Sequence, residues 1–120
     1  MNSYPQRVAD NILPISIATN LPEAFKEWYF TDNMKDYLVA KEDCELCDHE
    51  KLRYHFQIEN RNTRKRLWVG SSCIIKFQVQ VLDDTGKVLD KKGAEKKLNE
   101  LQRKMSYESC IDALKELAHA

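Results

Sequence analysis

Residues 44 to 77 read CELCDHEKLRYHFQIENRNTRKRLWVGSSCIIKF, and this stretch decides the fold. It begins with a C-x2-C pair, Cys44 and Cys47, and it carries a third cysteine, Cys73, far along the chain. Two thiolates three positions apart can bind one metal ion from a tight turn, and a third thiolate from a distant segment closes a loop around the ion. The spacing therefore predicts a metal site, with Zn²⁺ as the ion.

Between the cysteines lie two runs with the polarity pattern of strands. Apolar and polar residues alternate from Leu52 to Glu59, which is typical of a half-buried strand. A polar turn follows at residues 60–65 and the alternation resumes at residues 66–70, so the two runs should pair as an antiparallel hairpin. Gly70 and the serines after it end the second run and predict a short helix that begins at Cys73.

The size and charge of the chain narrow its class. With 120 residues it suits one domain, which a bound metal would help to stabilise. We divide it into an arm and helix at 1–43, the metal module at 44–77, and a hairpin with helices at 78–120. The 19 basic and 19 acidic side chains cancel, so no global charge draws the chain to nucleic acid or membrane.

The sequence also carries expectations about compartment. Neither a secretory leader nor an apolar run of about 18 residues is present, which predicts a cytoplasmic protein with no membrane partner. Without a secretion signal, a C-x2-C pair is more often a metal or redox motif than half of a disulfide framework. A redox motif would open a helix after a strand, which residues 42–50 do not suggest. The metal interpretation is therefore favoured.

The segment before the metal module is predicted from local patterns. Residues 12–17 form a short apolar run that suits an edge strand or a packed extended arm. Pro22 then starts a helix, and residues 32–38 could add a helical turn. The apolar face of that helix would consist of four residues: Leu21, Phe25, Trp28 and Tyr29.

The segment after the module predicts a second hairpin and two helices. Val79 and Val81 alternate with polar residues up to the turn at 83–86, and residues 87–89 would form the returning strand. The apolar spacing then predicts one helix over Ala94, Leu98, Leu101 and Met105, and a last helix, capped by Ser106, over Ile111, Leu114, Leu117 and Ala118. The predicted class is α+β, with the metal module between an N-terminal helix and a C-terminal helical pair.

The motif order resembles a known kind of zinc module. After C-x2-C come R-Y-x-F-x-I-x-N-x2-T and then L-x-V-G-S-x-C-I-x-K-F. This pattern is similar to a short type of treble clef that is found in bacterial and phage proteins. The resemblance implies a knuckle, a β-hairpin and a short helix around structural Zn²⁺. It also implies a small protein of a phage or mobile element that acts on a host protein.

The resemblance leaves one zinc ligand to be found. In treble clefs the fourth ligand usually follows the third by one helical turn, and that position here is Lys76, whose ammonium group cannot bind zinc at neutral pH. The candidates are His49, His55 and Cys110, or a water molecule. Lys76 and Arg53 would instead lie beside the site as cations that offset its negative charge.

Reach favours His49 among these candidates. It comes two residues after Cys47, so its imidazole can fold back toward the ion. His55 lies about 10 Å further along a strand and on its polar face. Cys110 belongs to the last predicted helix, where a lone cysteine is more often a small buried residue than a ligand. The predicted zinc ligands are therefore Cys44, Cys47, Cys73 and His49.

Three functions follow from these patterns. The first is a non-enzymatic interaction protein that is stabilised by zinc and binds a partner protein. The second is a nucleic-acid-binding module, since a basic cluster with a neighbouring aromatic could bind phosphates and stack a base: Arg61, Arg64, Lys65, Arg66 and Trp68. The third is a metal-dependent nuclease of the HNH type, which requires more than the single His55 on the hairpin. We expect binding and not catalysis.

Overall fold

The computed structural model describes residues 4–48 and 51–119 as a mixture of helices and one sheet. The elements in chain order are α1 (Tyr4–Ile12), α2 (Leu21–Phe25), β1 (Trp28–Asp36), β2 (Tyr54–Asn60), β3 (Arg66–Val69), α3 (Ser71–Lys76) and α4 (Lys91–His119). A short 3-10 turn, Leu13–Ile15, continues the chain after α1. The predicted α+β class is confirmed at this level.

The sheet has three antiparallel strands in the order β1-β2-β3. Ile58 at its centre lies between Phe30 of β1 and Leu67 of β3. The alternation over residues 52–59 therefore predicted β2, and its hairpin pairing with β3 is confirmed. The register of β1 shifts between Phe30 and Met34, because a bulge interrupts the pairing with β2 there.

The two faces of the sheet differ in chemistry. One face carries Trp28, Phe30, Phe56 and Ile58, which are at most 2 % exposed and form the centre of the core. Helices α1, α3 and α4 add apolar side chains to this core, namely Val8, Ile12, Ile74, Ala94 and Leu98. The other face is polar, since successive strand residues point to opposite sides. The candidate sites lie at the ends of this sheet.

The helix predicted from Leu21 begins as expected but ends early. Pro22 occupies its first turn and the Asn20 side chain caps it by accepting a hydrogen bond from the backbone N–H of Glu23. The helix stops at Phe25, and Trp28 and Tyr29 begin β1 instead. The predicted helical turn at 32–38 is also wrong, because β1 continues to Asp36. The aromatic run at 28–30 favours a strand, and pairing with β2 secures it.

The edge strand or extended arm predicted at residues 12–17 is wrong as well. Ile12 ends α1, and Leu13–Ile15 form the 3-10 turn, with Pro14 in its first turn. Proline suits the start of a helix because its missing N–H has no partner there in any case. Val8 and Ile12 stand one helical turn apart and are fully buried, so α1 packs its apolar side into the core.

The C-terminal region holds one long helix and not the predicted pair. Helix α4 runs for 29 residues through Ser106, which therefore caps nothing. No glycine or proline interrupts residues 94–119, so the chain has no local reason to break there. The second hairpin is reduced to a tight turn with one antiparallel bridge, Leu82 to Val88. Gly86 adopts φ +85° in this turn, a conformation that suits glycine.

Within the described residues, no helix is both long enough and apolar enough to cross a membrane.

Candidate metal centre

Three buried cysteines meet at the end of the hairpin. Cys44 and Cys47 come from the loop before β2, and Cys73 comes from the first turn of α3. Their sulfur atoms all lie within 4.8 Å of one another, and the Cys44 and Cys73 sulfurs are 3.8 Å apart. Four ligands at about 2.3 Å from a zinc ion stand about 3.8 Å apart at the corners of a tetrahedron. The cluster therefore has the size that one thiolate-bound metal ion requires.

The cysteines are thiols and do not form a disulfide. All four cysteines of the chain are unbridged, and a sulfur separation of 3.8 Å is far longer than the S–S bond of about 2.05 Å. Cys44, Cys47 and Cys73 are only 1 %, 6 % and 3 % exposed. Three unbridged cysteines that are buried together are typical of structural metal sites.

The groups around the Cys44 sulfur favour its thiolate form. Its pKa falls from the usual 9 to about 5, mainly because of the hydrogen bond with Cys73. The backbone N–H groups of Cys47, Gly70 and Leu46 add to this effect, whereas burial opposes it. The N–H of Gly70 lies 3.4 Å from the Cys44 sulfur. Donors that converge on one sulfur favour its charged form, which is the form that binds metals.

The turn that holds the first two cysteines is tight and closed by its own backbone. The N–H of Asp48 donates to the carbonyl of Cys44 at 2.8 Å. Asp48 itself has φ 63°, a left-handed conformation that aspartate tolerates better than most residues. This turn brings the side chains of Cys44 and Cys47 to the same side, as the C-x2-C spacing predicted.

Helix α1 and strand β3 hold the cysteine turn in place. The Asn11 side chain donates to the carbonyl of Leu46 at 2.8 Å, and Arg7 donates to that of Cys47 at 3.4 Å. On the other side, Glu45 and Trp68 exchange hydrogen bonds, one through each backbone N–H. The role of α1 could not be read from the sequence, because Asn11 and Leu46 are 35 positions apart.

The described residues supply three ligands to the candidate site. His49 lies outside them, so its assignment as a ligand stays a prediction. Among the residues that the structure describes, no other histidine, cysteine, aspartate or glutamate joins the three sulfurs. Lys76 is exposed on α3, three positions after Cys73, where treble clefs usually carry the fourth ligand.

The two alternative ligands lie elsewhere. His55 is 5 % exposed, and its ring nitrogens contact the Tyr37 hydroxyl at 2.9 Å and the carbonyl of Asp43 at 2.7 Å. Its placement on the polar face of β2 agrees with the alternation that argued against it, but the expected distance of about 10 Å is wrong, because the ring contacts Asp43, the residue before Cys44. Cys110 is exposed on α4, so the expectation of a small buried side chain there is wrong. Cys110 is exposed because it lies on the outward side of the long helix α4.

A cleft of about 900 Å³ opens beside the three sulfurs. Arg53 and Lys76, predicted as cations near the site, both line it, together with Arg7. Arg53 binds the carboxylate of Asp36 through two hydrogen bonds of 2.8 and 3.0 Å. This contact with Arg53 is the main reason that the pKa of Asp36 falls to about 2. The positive lining suits a thiolate site, whose net charge is negative even with a divalent ion bound.

The predicted basic cluster lies at the other end of the hairpin. Arg61, Arg64, Lys65 and Arg66 are all exposed. Two of them reach back to the buried Glu59: Arg66 at 2.7 Å and Arg64 at 3.7 Å. Arg61 bonds to Gln80 and lies over the ring of Tyr29.

Trp68, predicted with this cluster, is half-buried on the polar face of the sheet. Its ring stacks on His55 with a centroid distance of 6.2 Å, and the Lys35 ammonium lies 4.3 Å from its centre. The structure therefore places Trp68, with Lys35 beside it, away from the turn at 60–65.

Sequence reasoning missed a buried polar site near the basic cluster. The Glu27 carboxylate accepts hydrogen bonds from the N–H groups of Ile17 and Ala18 at 2.9 and 2.8 Å, and from the Asn60 side chain at 3.0 Å. Asn60 is fully buried, and its oxygen accepts from the N–H of Thr63. The N-x2-T element of the motif was the one available signal, since its Asn60 and Thr63 shape the turn after β2.

Comparison with known proteins gives no relative: no protein-family model matches this chain, and neither a curated protein nor a solved structure is significantly similar to it.

Proposed function

We propose that this chain is a non-enzymatic interaction protein of bacterial or phage origin, stabilised by one structural Zn²⁺ and built to bind a partner protein. The observation that carries the proposal is the group of three buried sulfurs, which lie within 4.8 Å of one another. Thiolates select soft or borderline ions, and zinc is the usual ion in buried sites of this kind. Cys44, Cys47 and Cys73 would hold it, with His49 as the fourth ligand.

The order of the elements supports a treble-clef arrangement around that ion. A tight turn supplies Cys44 and Cys47, the β2–β3 hairpin follows, and α3 supplies Cys73 from its first turn. A metal ion would join the start of the hairpin to the helix that leaves it. The metal's role in this proposal is to hold the fold together, and a surface elsewhere contacts the partner.

The ligand type and the state of His55 support binding and not catalysis. Structural zinc is typically held by four cysteines or by three cysteines and a histidine, whereas catalytic zinc usually has no more than two cysteine ligands, so a group of three cysteines favours a structural ion. An HNH-type nuclease would use a hairpin histidine for hydrolytic chemistry. Here Tyr37 and the carbonyl of Asp43 occupy the ring of His55, which also stacks on Trp68. These contacts give His55 a structural role.

The surface chemistry supports a protein partner. Among the side chains that the structure describes, six large apolar ones are at least half exposed: Ile17, Leu38, Val39, Val88, Tyr107 and Leu114. Apolar groups in such positions provide contact area for proteins. The cysteines are unbridged, which suits a reducing compartment, and we place the protein in the cytoplasm.

Metal analysis combined with thiol titration tests the proposal. The purified protein should contain one zinc per chain and one thiol, that of the exposed Cys110, that reacts at once with a thiol reagent. The other three should react only after chelation. Cys110→Ser is the matched control: it should abolish the fast reaction and leave the zinc content unchanged. Protein that lacks zinc, or that shows four fast thiols as purified, would overturn the proposal.

A second candidate function is nucleic-acid binding through the basic turn. The favouring observation is that Arg61, Arg64, Lys65 and Arg66 are exposed together, while Glu59 is the acid that binds two of them. Lys35 is a further cation, beside Trp68 on the polar face of the sheet and outside the turn. Because Glu59 holds Arg64 and Arg66, and Gln80 bonds to Arg61, Lys65 has the greatest freedom of the four to contact phosphates.

A salt titration with mixed single-stranded nucleic acid tests this second function. If the turn binds phosphates, affinity should fall steeply with salt, and replacing all four cations by glutamine should lower the slope by about one unit per lost contact. The matched control replaces four exposed cations of α4 by glutamine: Lys92, Lys96, Arg103 and Lys104. Absence of binding at low salt, or equal effects of both replacements, would refute it.

A further inference from the structure

The two halves of helix α4 have different surroundings. In the first half, Ala94 and Leu98 are buried in the core and Leu101 packs against it. In the second half, the side toward the sheet is polar: Ser109 bonds to Asp36, and Glu108 and Asp112 line the same groove against the end of β1. Among the side chains that the structure describes, the core therefore takes its apolar residues from the first half of α4.

The opposite side of the second half carries an apolar stripe. Successive residues of a helix are rotated by about 100°, so Tyr107, Ile111 and Leu114 share one side, about half a turn away from Ser109. Tyr107 is 68 % exposed and Leu114 is 57 % exposed. Their spacing of four and then three positions is the spacing that two helices use when they pack along a seam. The spacing therefore suits contact with a second helix, and none of the described residues provides one on this side of α4.

We propose that this stripe pairs with the same stripe of a second copy of the chain, with the two α4 helices antiparallel. The charged residues beside the stripe carry this assignment. Glu108 and Lys115 lie on the same flank, two turns apart, and are both exposed. In an antiparallel pair, this flank of one helix faces the same flank of the other helix, and the residues of the two flanks run in opposite directions. Glu108 of each copy then lies opposite Lys115 of the other, which gives two symmetric ion pairs.

The same register also interleaves the apolar residues. When Glu108 faces Lys115 of the other copy, each Leu114 inserts between Tyr107 and Ile111 of its partner helix. A parallel pair is disfavoured because Lys104 continues the stripe by one further position and would meet its own copy across the seam. The antiparallel register instead separates the two Lys104 side chains by about the length of the paired segment.

The expected dimer is weak. Three apolar side chains per copy provide far less contact than the roughly 20 to 30 residues per side of a standard stable interface. We therefore expect a dissociation constant in the range of about 10 to several hundred micromolar. Sedimentation equilibrium of the full zinc-loaded chain, with reductant to prevent oxidation of Cys110, should show a mass that rises with concentration toward twice 14.1 kDa. A monomer at all concentrations up to about 500 µM would overturn the proposal.

Substitutions on the stripe test its location. Leu114→Lys should abolish the rise in mass, because it places two ammonium groups in the seam. Val88→Glu is the matched control, since Val88 is 51 % exposed but belongs to the turn before α4. It should leave the association unchanged. Zinc content and circular dichroism verify that both variants are folded. Equal effects of the two substitutions would show that the stripe is not the seam.

A charge exchange tests the direction of the pair. Glu108→Lys and Lys115→Glu should each weaken association by about fivefold or more, since each substitution affects both symmetric contacts. The double variant should recover the affinity of the natural chain. In a parallel pair Glu108 would face Arg103 of the other copy, and Lys115→Glu could not compensate. A double variant that associates as weakly as the single variants would therefore overturn the antiparallel arrangement.

Discussion

The two ends of strand β2 are held by opposite kinds of chemistry. Near Tyr54, where the hairpin opens, three sulfurs from two segments of the chain lie close enough together to hold one metal ion. Near Asn60, where the hairpin turns, a buried carboxylate and a buried amide exchange hydrogen bonds with the segment before α2. The first end has the form of a site for a ligand from outside the chain, whereas the second is held by hydrogen bonds within the chain.

Because of this difference, the two ends should lose stability under different conditions. Neighbouring thiolates repel one another until a cation is bound, so under the proposed function the sulfur end would gain its stability from metal. The Glu27 end gains its stability from matched donors and acceptors, which cost free energy if any one partner is removed. The sulfur end should therefore respond to chelation and the Glu27 end to substitution or acid.

The largest expected effect is the removal of metal. Structural zinc can supply on the order of 10 kcal/mol, which is comparable with the whole stability of a domain of this size. Chelation at neutral pH should therefore unfold at least the β2–β3 hairpin, and replacing Cys44 or Cys73 by serine should have the same result. Circular dichroism and thermal melting would measure this loss. Added zinc should restore the fold of the chelated natural chain but not that of the serine variants.

Cys110→Ser is the control for that experiment, because Cys110 is exposed and lies outside the sulfur group. It should melt at the same temperature as the natural chain. If chelation with verified metal loss leaves the melting temperature unchanged, the three cysteines are ordinary core residues, and the contrast between the two ends disappears.

The next effect in size concerns Asn60, which is fully buried. Asn60→Ala removes the donor to Glu27 and the acceptor for the N–H groups of Asn62 and Thr63. Unpaired buried polar groups cost about 1–3 kcal/mol each, so we expect a loss of about 3 kcal/mol in urea denaturation. Asn99→Ala, on the exposed side of α4, should change stability by less than about 0.5 kcal/mol. Similar losses for both would mean that the Glu27 end does not hold the turn.

Acid should separate the two ends. The pKa of Glu27 falls from 4.5 to about 2, chiefly because the N–H of Ile17 donates to its carboxylate. A lowered pKa stabilises the fold above the unfolded value of 4.5, and this contribution is lost as pH falls from about 4.5 toward 2. Glu27→Gln should therefore cost about 2 kcal/mol at neutral pH and progressively less in that acidic range.

The difference in stability between the natural chain and Glu27→Gln isolates this effect, since protons compete with metal at the sulfur end equally in both proteins. Urea denaturation at a series of pH values would measure the difference. A constant difference down to the lowest pH at which both proteins fold would show that the Glu27 carboxylate is not the titrating group.

The sequence predicted the sulfur end because its signal is local and specific. The C-x2-C spacing, the alternation in β2 and the helix signal after Gly70 each act over a few residues, and all three elements formed. The predicted start of the helix at Cys73 is wrong, because α3 begins at Ser71 with Gly70, and not a serine, as its N-cap. The Glu27 end could not be predicted, because Glu27 and Asn60 are 33 positions apart and both residue types usually lie on surfaces.

Errors in the flanking segments have the same physical origin. Trp28 and Tyr29 fitted the apolar spacing of a helix, but the free edge of β2 was available and turned them into a strand. Ser106 suggested the start of a new helix because serine often caps helices. The absence of glycine and proline around it was the signal that α4 continues. Local patterns cannot report which distant segment will offer a pairing partner.

The smallest expected effect concerns Gly70, whose N–H donates to the Cys44 sulfur. Its φ of −77° is available to any residue, so the backbone does not require glycine there. A Cβ atom would lie 3.2 Å from a terminal methyl group of Leu52, which can move by a few tenths of an ångström. Gly70→Ala keeps the N–H and makes the unfolded chain less flexible, which offsets the closer contact.

We therefore expect Gly70→Ala to change stability by less than about 1 kcal/mol and to keep one zinc per chain. Gly86→Ala provides the contrast, since φ +85° is strained for alanine and should cost about 1 kcal/mol or more without affecting zinc. Urea denaturation and metal analysis of the two variants would decide. A loss of zinc in Gly70→Ala would mean that the sulfur end depends on the close packing of Leu52 over Gly70, and not only on the N–H groups that surround Cys44.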